Sequence, residues 1–191
     1  SDHLIYQRAL SHPGRSGEEG DRAAVFPPSD EREVYVYYGP YIGLQGRLSL
    51  DFNLQPEPGR GRPWTLAEFG TAGNTSMVLS VDLQGVLRAT ITTRRGHIPL
   101  FTDPLSFEQW HTAQLYYGPE GAVLLVDGAI EDYSFDRAVP WSQGAASALY
   151  LGDRPYWSGA RGEGYFSEND HFVGAIDNLT FIRLGPGGEE Q

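Results

Sequence analysis

The stretch Trp110–Gly128, WHTAQLYYGPEGAVLLVDG, constrains this chain more than any other. Two apolar runs rich in β-formers, Trp110–Tyr117 and Ala122–Val126, flank Gly118-Pro119-Glu120-Gly121. Pro119 presets φ for a turn, and the glycines accept dihedrals that other residues avoid. Asp127-Gly128 marks a second turn. Ala113, Leu115 and Tyr117 fall on one face by period two. Leu124 and Val126 also share a face. Val123 and Leu125 make the opposite face apolar too, which predicts a strand buried on both sides. A hairpin this apolar cannot stand alone in water, so a larger sheet must receive it.

The rest of the chain supplies that sheet. Arg47–Gln55 is the clearest amphipathic strand, with Leu48, Leu50, Phe52 and Leu54 inward. Arg47, Ser49, Asp51, Asn53 and Gln55 face the other way, as on an antiparallel sheet with one wet face. Met77, Leu79, Val81 and Leu83 alternate, as do Leu87, Ala89 and Ile91, with Gln84-Gly85 as the turn between them. Ala24–Phe26, Glu33–Tyr38 and Trp64–Gly70 read as further strands, and Leu4-Ile5-Tyr6 as a short one beside the closing strand. Pro99–Phe107 reads as a loop with one helical turn at Ser106–Gln109, and Asp132–Ser147 as irregular. In the closing strand Phe172, Gly174 and Ile176 share one parity, while Leu179 and Phe181 share the other. If all face the core, a β-bulge lies at Asp177-Asn178. The expected core adds Trp110, Leu115, Leu124, Val126, Leu149 and Leu151 to these residues. His111 is expected to face solvent. The fold class is all-β, a two-sheet antiparallel β-sandwich of jelly-roll type.

Composition sets the outer limits. A length of 191 residues suits one domain, divided as a lead-in over 1–23, a sandwich over 24–185 and a polar tail over 186–191. The absence of cysteine rules out disulfides, thiol nucleophiles and Cys-based zinc sites. A formal net charge of −11 argues against nucleic acid or an anionic membrane as the partner. No apolar run approaches the ~20 residues of a membrane span.

Three blocks, in order, carry a family resemblance. The first is W-H-T-A-x-L-x-Y, a turn, then V-L-L-V-D-G over Trp110–Gly128. The second is Ala148-Leu149-Tyr150-Leu151-Gly152, a loop, then Phe172-Val173-Gly174-Ala175-Ile176-Asp177-Asn178-Leu179. The third is Leu48–Pro56. Together they resemble laminin-G-like domains of the concanavalin-A-like lectin and glucanase class. The resemblance implies a jelly roll and an extracellular, cell-surface or periplasmic setting. It also implies calcium bound by carboxylates and carbonyls, with Asp177 as the acidic residue to try first. A half-buried carboxylate at a bulge needs either hydrogen bonds or a cation. The class hosts many functions, so the ligand does not follow from it.

Asp153–His171 is the longest stretch without a strand signal between two firm strands, and such loops are often functional. It carries Tyr156, Trp157, Arg161, Glu163, Tyr165 and Asn169. An exposed ring covers the apolar face of a pyranose while amides and carboxylates pair with its hydroxyls. Those six residues form the expected ligand site. The alternative for the large rings is that they tuck under the loop and anchor it. Catalytic signatures are missing. The glutamate–aspartate–glutamate alternation of the class's glucanases has no match on an expected strand, and the five histidines show no metal-ligand spacing. The expected function is a non-catalytic recognition module for carbohydrate or a protein ligand, working through loops at one rim. A divergent glycoside hydrolase or lyase is the alternative. A second is an architectural domain packing against other domains of a longer chain.

Overall fold

The computed structural model describes residues 23–26, 35–38, 43–56, 63–71, 74–141, 148–152, 155–157, 164–166 and 172–185. The tail and, apart from Ala23, the lead-in lie outside this set, and so does the strand expected at Leu4–Tyr6. Among the described residues there are fourteen strands and no helix.

Sheet A, six-stranded, runs in the order β1 (Ala24–Phe26), β14 (Gly174–Arg183), β3 (Gly46–Leu54), β8 (Trp110–Gly118), β9 (Gly121–Val126), β10 (Ala129–Ser134). Sheet B runs β2 (Tyr35–Tyr38), β11 (Ala148–Leu151), β4 (Trp64–Thr71), β5 (Asn74–Val81), β6 (Val86–Thr93), β7 (Gly96–Pro104). A small ribbon pairs β12 (Pro155–Trp157) with β13 (Gly164–Phe166). Every described pairing is antiparallel. The fold is the expected two-sheet jelly roll.

The core lies between the sheets. From sheet A come Leu48, Leu50, Phe52, Leu54, Leu115, Leu124, Val126 and Ile176, and from sheet B Trp64, Met77, Leu79, Leu87, Ile91 and Leu151. Phe69 and Phe181 meet across the interior with ring centroids 4.9 Å apart. Burial of this apolar surface, at about 25 cal/mol per Å2, is the main force holding the sheets face to face.

Several expectations are corrected. Pro99–Pro104 is not loop but part of β7, and β10 occupies the start of the stretch expected to be irregular. Both are edge strands, where proline and polar side chains are tolerated because one row of backbone groups needs no partner. Residues 107–108 form a turn rather than a helical turn. Trp110 is half exposed, since by strict alternation it shares the outer face with Thr112, Gln114 and Tyr116. His111 is buried for the same reason. Val123 and Leu125 are only half-buried, so β9 has one core face rather than two. Leu83 lies exposed in the turn before β6, and Leu179 is half-buried at the bulge.

The segment between β11 and β14 leaves and re-enters the sandwich at one point. The Phe172 amide donates to the Gly152 carbonyl (2.7 Å), and the Gly152 amide to that of Leu66 (3.0 Å). Gly152 has φ of 82°, and a Cβ there would lie 2.0 Å from the Phe26 ring. This is why the Leu-Tyr-Leu-Gly block ends in glycine.

Candidate functional site

The two sheets differ in what they leave open. Both faces of β4 and β11 are buried. The outer face of sheet A carries rows of half-buried and exposed polar and aromatic side chains. Strand register arranges that face into cross-strand ladders. Ile182, Arg47, Tyr116, Val123 and Tyr133 form one row. Thr180, Ser49, Gln114, Leu125 and Ile130 form the next, and Asp177, Asp51 and Thr112 a third.

The first row ends in a groove of about 380 Å3 beside the Gly118–Gly121 turn. Tyr116 and Tyr133 flank Val123, so two rings stand either side of a small floor residue. Phe135, 84% exposed, and Tyr133, 58% exposed, meet edge to face with centroids 5.1 Å apart. Ile130 and Pro119 also line the groove, and Glu120 is the sole charged residue among the described residues that line it. Rings left this exposed are a ready contact surface. Sequence reasoning misses the site. Tyr133 and Phe135 fall in a stretch expected to be irregular, and only the period-two parity of Tyr116 points to it.

The third row is the bulge. Asp177 pairs with Asp51 and Thr180 with Ser49, so Asn178 and Leu179 together oppose Leu50. This is the bulge expected from parity. Asn178 takes a left-handed φ of 47°, a conformation asparagine tolerates better than most residues. Its side-chain amide donates to Asp51 Oδ2 (2.7 Å), and its backbone N–H to Asp177 Oδ1 (2.8 Å). The Thr112 hydroxyl donates to Asp51 Oδ1 (2.6 Å). Both Asp51 oxygens and one of Asp177 are thus committed to donors. Calcium takes six to eight oxygens, and among the described residues no group of three or more acidic or histidine side chains converges. Asn178→Ala should cost about 1–2 kcal/mol in urea unfolding, losing both the hydrogen bond and the left-handed tolerance. Asn178→Gly, which keeps the backbone freedom, should cost less than half as much.

Next along this rim, His111 is clamped between two oxygens. Nδ1 lies 2.8 Å from Asp127 Oδ2 and Nε2 lies 2.9 Å from the Ser106 carbonyl. A neutral ring can donate to only one of them. Asp127 also accepts the Thr112 amide (2.8 Å) and sits at φ 52° in the β9–β10 turn. Partial burial pushes the Asp127 carboxyl up, but the hydrogen bond from His111, that from Thr112 and the charge of His111 together hold it below the ordinary 3.8. A carboxyl lowered in the folded state contributes stability above its unfolded pKa and loses it as pH falls through the folded one. Stability should therefore decline as pH drops below 3.8, and Asp127→Asn should flatten that acid limb in pH-dependent urea unfolding.

The ribbon carries part of the expected site. Tyr156 is in register with Tyr165, and Trp157 with Gly164, so Asp153–His171 is not wholly without strand. Arg161, Glu163 and Asn169 lie outside the described residues. The ribbon leaves from the far end of sheet A. Leu54, the last residue of β3, pairs with Gly174 beside the re-entry point, whereas Gly46, the first, pairs with Tyr117 beside the groove. Eight residue steps along a strand put those ends roughly 27 Å apart.

No family model matches the chain, and no curated protein does. Solved structures do. A heptameric SAP-like pentraxin from Limulus polyphemus matches with a TM-score of 0.61 at 11% identity, over 83% of this chain and 74% of that one. Domains LG4-5 of the mouse laminin α1 chain match at 0.60 and 19% identity, over 84% of this chain and 40% of theirs. The CBM40 domain of a Ruminococcus gnavus sialidase, solved with α2,3 sialyllactose, matches at 0.53 and 14%, over 78% and 89%. The chain thus spans under half of the two-domain laminin fragment. These likenesses show the fold alone: a two-sheet antiparallel jelly roll, like those of the pentraxin and the laminin LG domains.

Proposed function

We propose that this domain is a non-catalytic recognition module, exported from the cell, that binds carbohydrate through rim surfaces of the sandwich. The observation that carries the reading is the groove of sheet A, where Tyr133 and Phe135 stand exposed with no core of their own to fill. Aromatic faces desolvate the C–H face of a sugar, and neighbouring polar groups such as Gln45, Ser134 and Glu120 can take its hydroxyls. The likeness to a sialidase CBM40 domain solved with sialyllactose supports a glycan, and the likeness to laminin LG domains supports a binding module in general. Tyr156, Trp157 and Tyr165 of the ribbon, with Arg161, Glu163 and Asn169 from outside the described residues, stay a second candidate set. Calcium, with Asp177 as one ligand and others from outside the described residues, belongs to the same proposal.

Catalysis finds less support. Asp51 and Asp177 are cross-strand neighbours on the open face, but three of their four oxygens accept from Thr112 and Asn178, and they lie outside the groove. One observation favours a different reading. The groove lining is mostly apolar, which also suits an architectural domain covered by another domain of a longer chain.

Glycan titration separates these readings. Tyr133→Ala and Phe135→Ala should each weaken glycan binding by roughly 1–3 kcal/mol, the scale of burying an aromatic side chain, with little change in melting temperature. Trp157→Ala tests the ribbon in the same assay, and EDTA against added calcium tests the cation. If no glycan binds, and Phe135→Ala instead raises solubility, the architectural reading takes over.

A further inference from the structure

We infer that the groove of sheet A selects pyranoses whose substituents are all equatorial, as in β-glucosides and β-xylosides, over those with an axial hydroxyl, as in galactosides and mannosides. The inference rests on the carbohydrate reading above and deepens it.

The geometry is that of a trough. Tyr116, Val123 and Tyr133 stand in one cross-strand row on β8, β9 and β10, and all three line the groove. Two strand spacings put the backbones under the two rings roughly 10 Å apart, with the short Val123 between them. Side chains rise roughly perpendicular to a sheet, so the rings form the walls and Val123 the floor. Arg47 fixes one wall. Its guanidinium lies over one face of the Tyr116 ring, 5.8 Å from the centroid, and Nη1 donates to the Tyr116 hydroxyl (3.4 Å). The strand that carries Arg47, β3, is on the opposite side of β8 from β9. The other face of Tyr116 therefore turns toward Val123 and Tyr133. Phe135 braces the second wall, edge to face, with its centroid 5.1 Å from that of Tyr133.

Apolar carbon atoms in contact sit about 3.5–4.0 Å apart, so the trough has width for one saturated ring and not for two stacked together. A pyranose held there presents both of its faces to aromatic rings. In a β-glucoside or β-xyloside both faces carry only C–H groups. The hydroxyls project around the rim, where Gln45, Ser134, Glu120 and water can take them. An axial hydroxyl makes one face polar and presses it against a ring, where it loses water and gains no comparable partner. Such a loss is worth about tenfold in affinity, or about 1.4 kcal/mol.

The test is an NMR titration of the whole chain with two matched pairs. Methyl β-glucoside and methyl β-galactoside differ only in the orientation of one hydroxyl. Cellotriose and β-linked mannotriose differ only in one hydroxyl per unit. The all-equatorial member of each pair should bind about tenfold tighter. Tyr133→Ala removes one wall, so it should weaken that member most and shrink the gap, with the melting temperature held. Equal or tighter binding of the axial members would overturn the inference and leave the recognition module standing. A gap that survives Tyr133→Ala would place the selection elsewhere and overturn it. A chain that binds other glycans on an array but none of this set would overturn it as well. If no glycan of any kind binds, the carbohydrate reading itself fails.

Discussion

Phe52→Ala should lower the free energy of unfolding by about 3–5 kcal/mol, the usual cost of emptying a buried aromatic position. Phe52 lies two residues from the end of β3, fully buried, on a strand paired with β14 and β8. Its ring faces that of His111 at 5.8 Å between centroids. Removing it opens a cavity beside the histidine that joins Asp127 to the Ser106 carbonyl, so the loss should reach the rim as well as the core. Urea unfolding measures the stability. The histidine ring resonances, followed by NMR, should broaden or shift in the variant. A loss under ~1 kcal/mol would mean that the site collapses around the smaller side chain.

Gly174→Ala is the second large effect. Gly174 opens β14 at φ 145°, and a Cβ there would stand 2.0 Å from the Asn53 carbonyl oxygen. That oxygen is backbone inside the central pairing of sheet A, so it cannot swing aside as a side-chain end would. The variant must strain its dihedral and push β14 off β3. We expect a loss of about 2–4 kcal/mol. Amide exchange should quicken first at β1, whose three residues pair with Gly174–Ile176 and have no other partner strand among the described residues. Unchanged exchange there would contradict the account.

The fold is largely legible in the sequence because alternation is a strong signal where one sheet face is wet. Leu48–Leu54 alternate without a break, and their leucines and Phe52 are all buried. The parity flip between Ile176 and Phe181 is enough to locate the bulge. Where alternation and residue type disagree, residue type misleads. Size argues for Trp110 inside, yet its parity is that of Thr112, and it is half exposed. Polarity argues for His111 outside, yet its parity is that of Ala113, and it is buried. The edge strands are illegible for another reason. Pro99 and Pro104 are breakers in a central strand but acceptable in β7, and edge position is a tertiary property that local sequence does not carry. The groove follows suit, because Tyr133 and Phe135 acquire meaning only once β10 is placed beside β9.

The shared doorway of the segment between β11 and β14 has a consequence for how this surface can change. Gly152 and Phe172 are joined by a hydrogen bond, and Gly152 is held in turn by Leu66. A stretch of chain that begins and ends at one fixed knot can be lengthened, shortened or exchanged without altering the distance its ends must span. Doubling its length adds only about 0.6 kcal/mol of closure entropy. The sandwich thus carries a natural splice point, at which the intervening segment can be exchanged while the scaffold keeps its sequence.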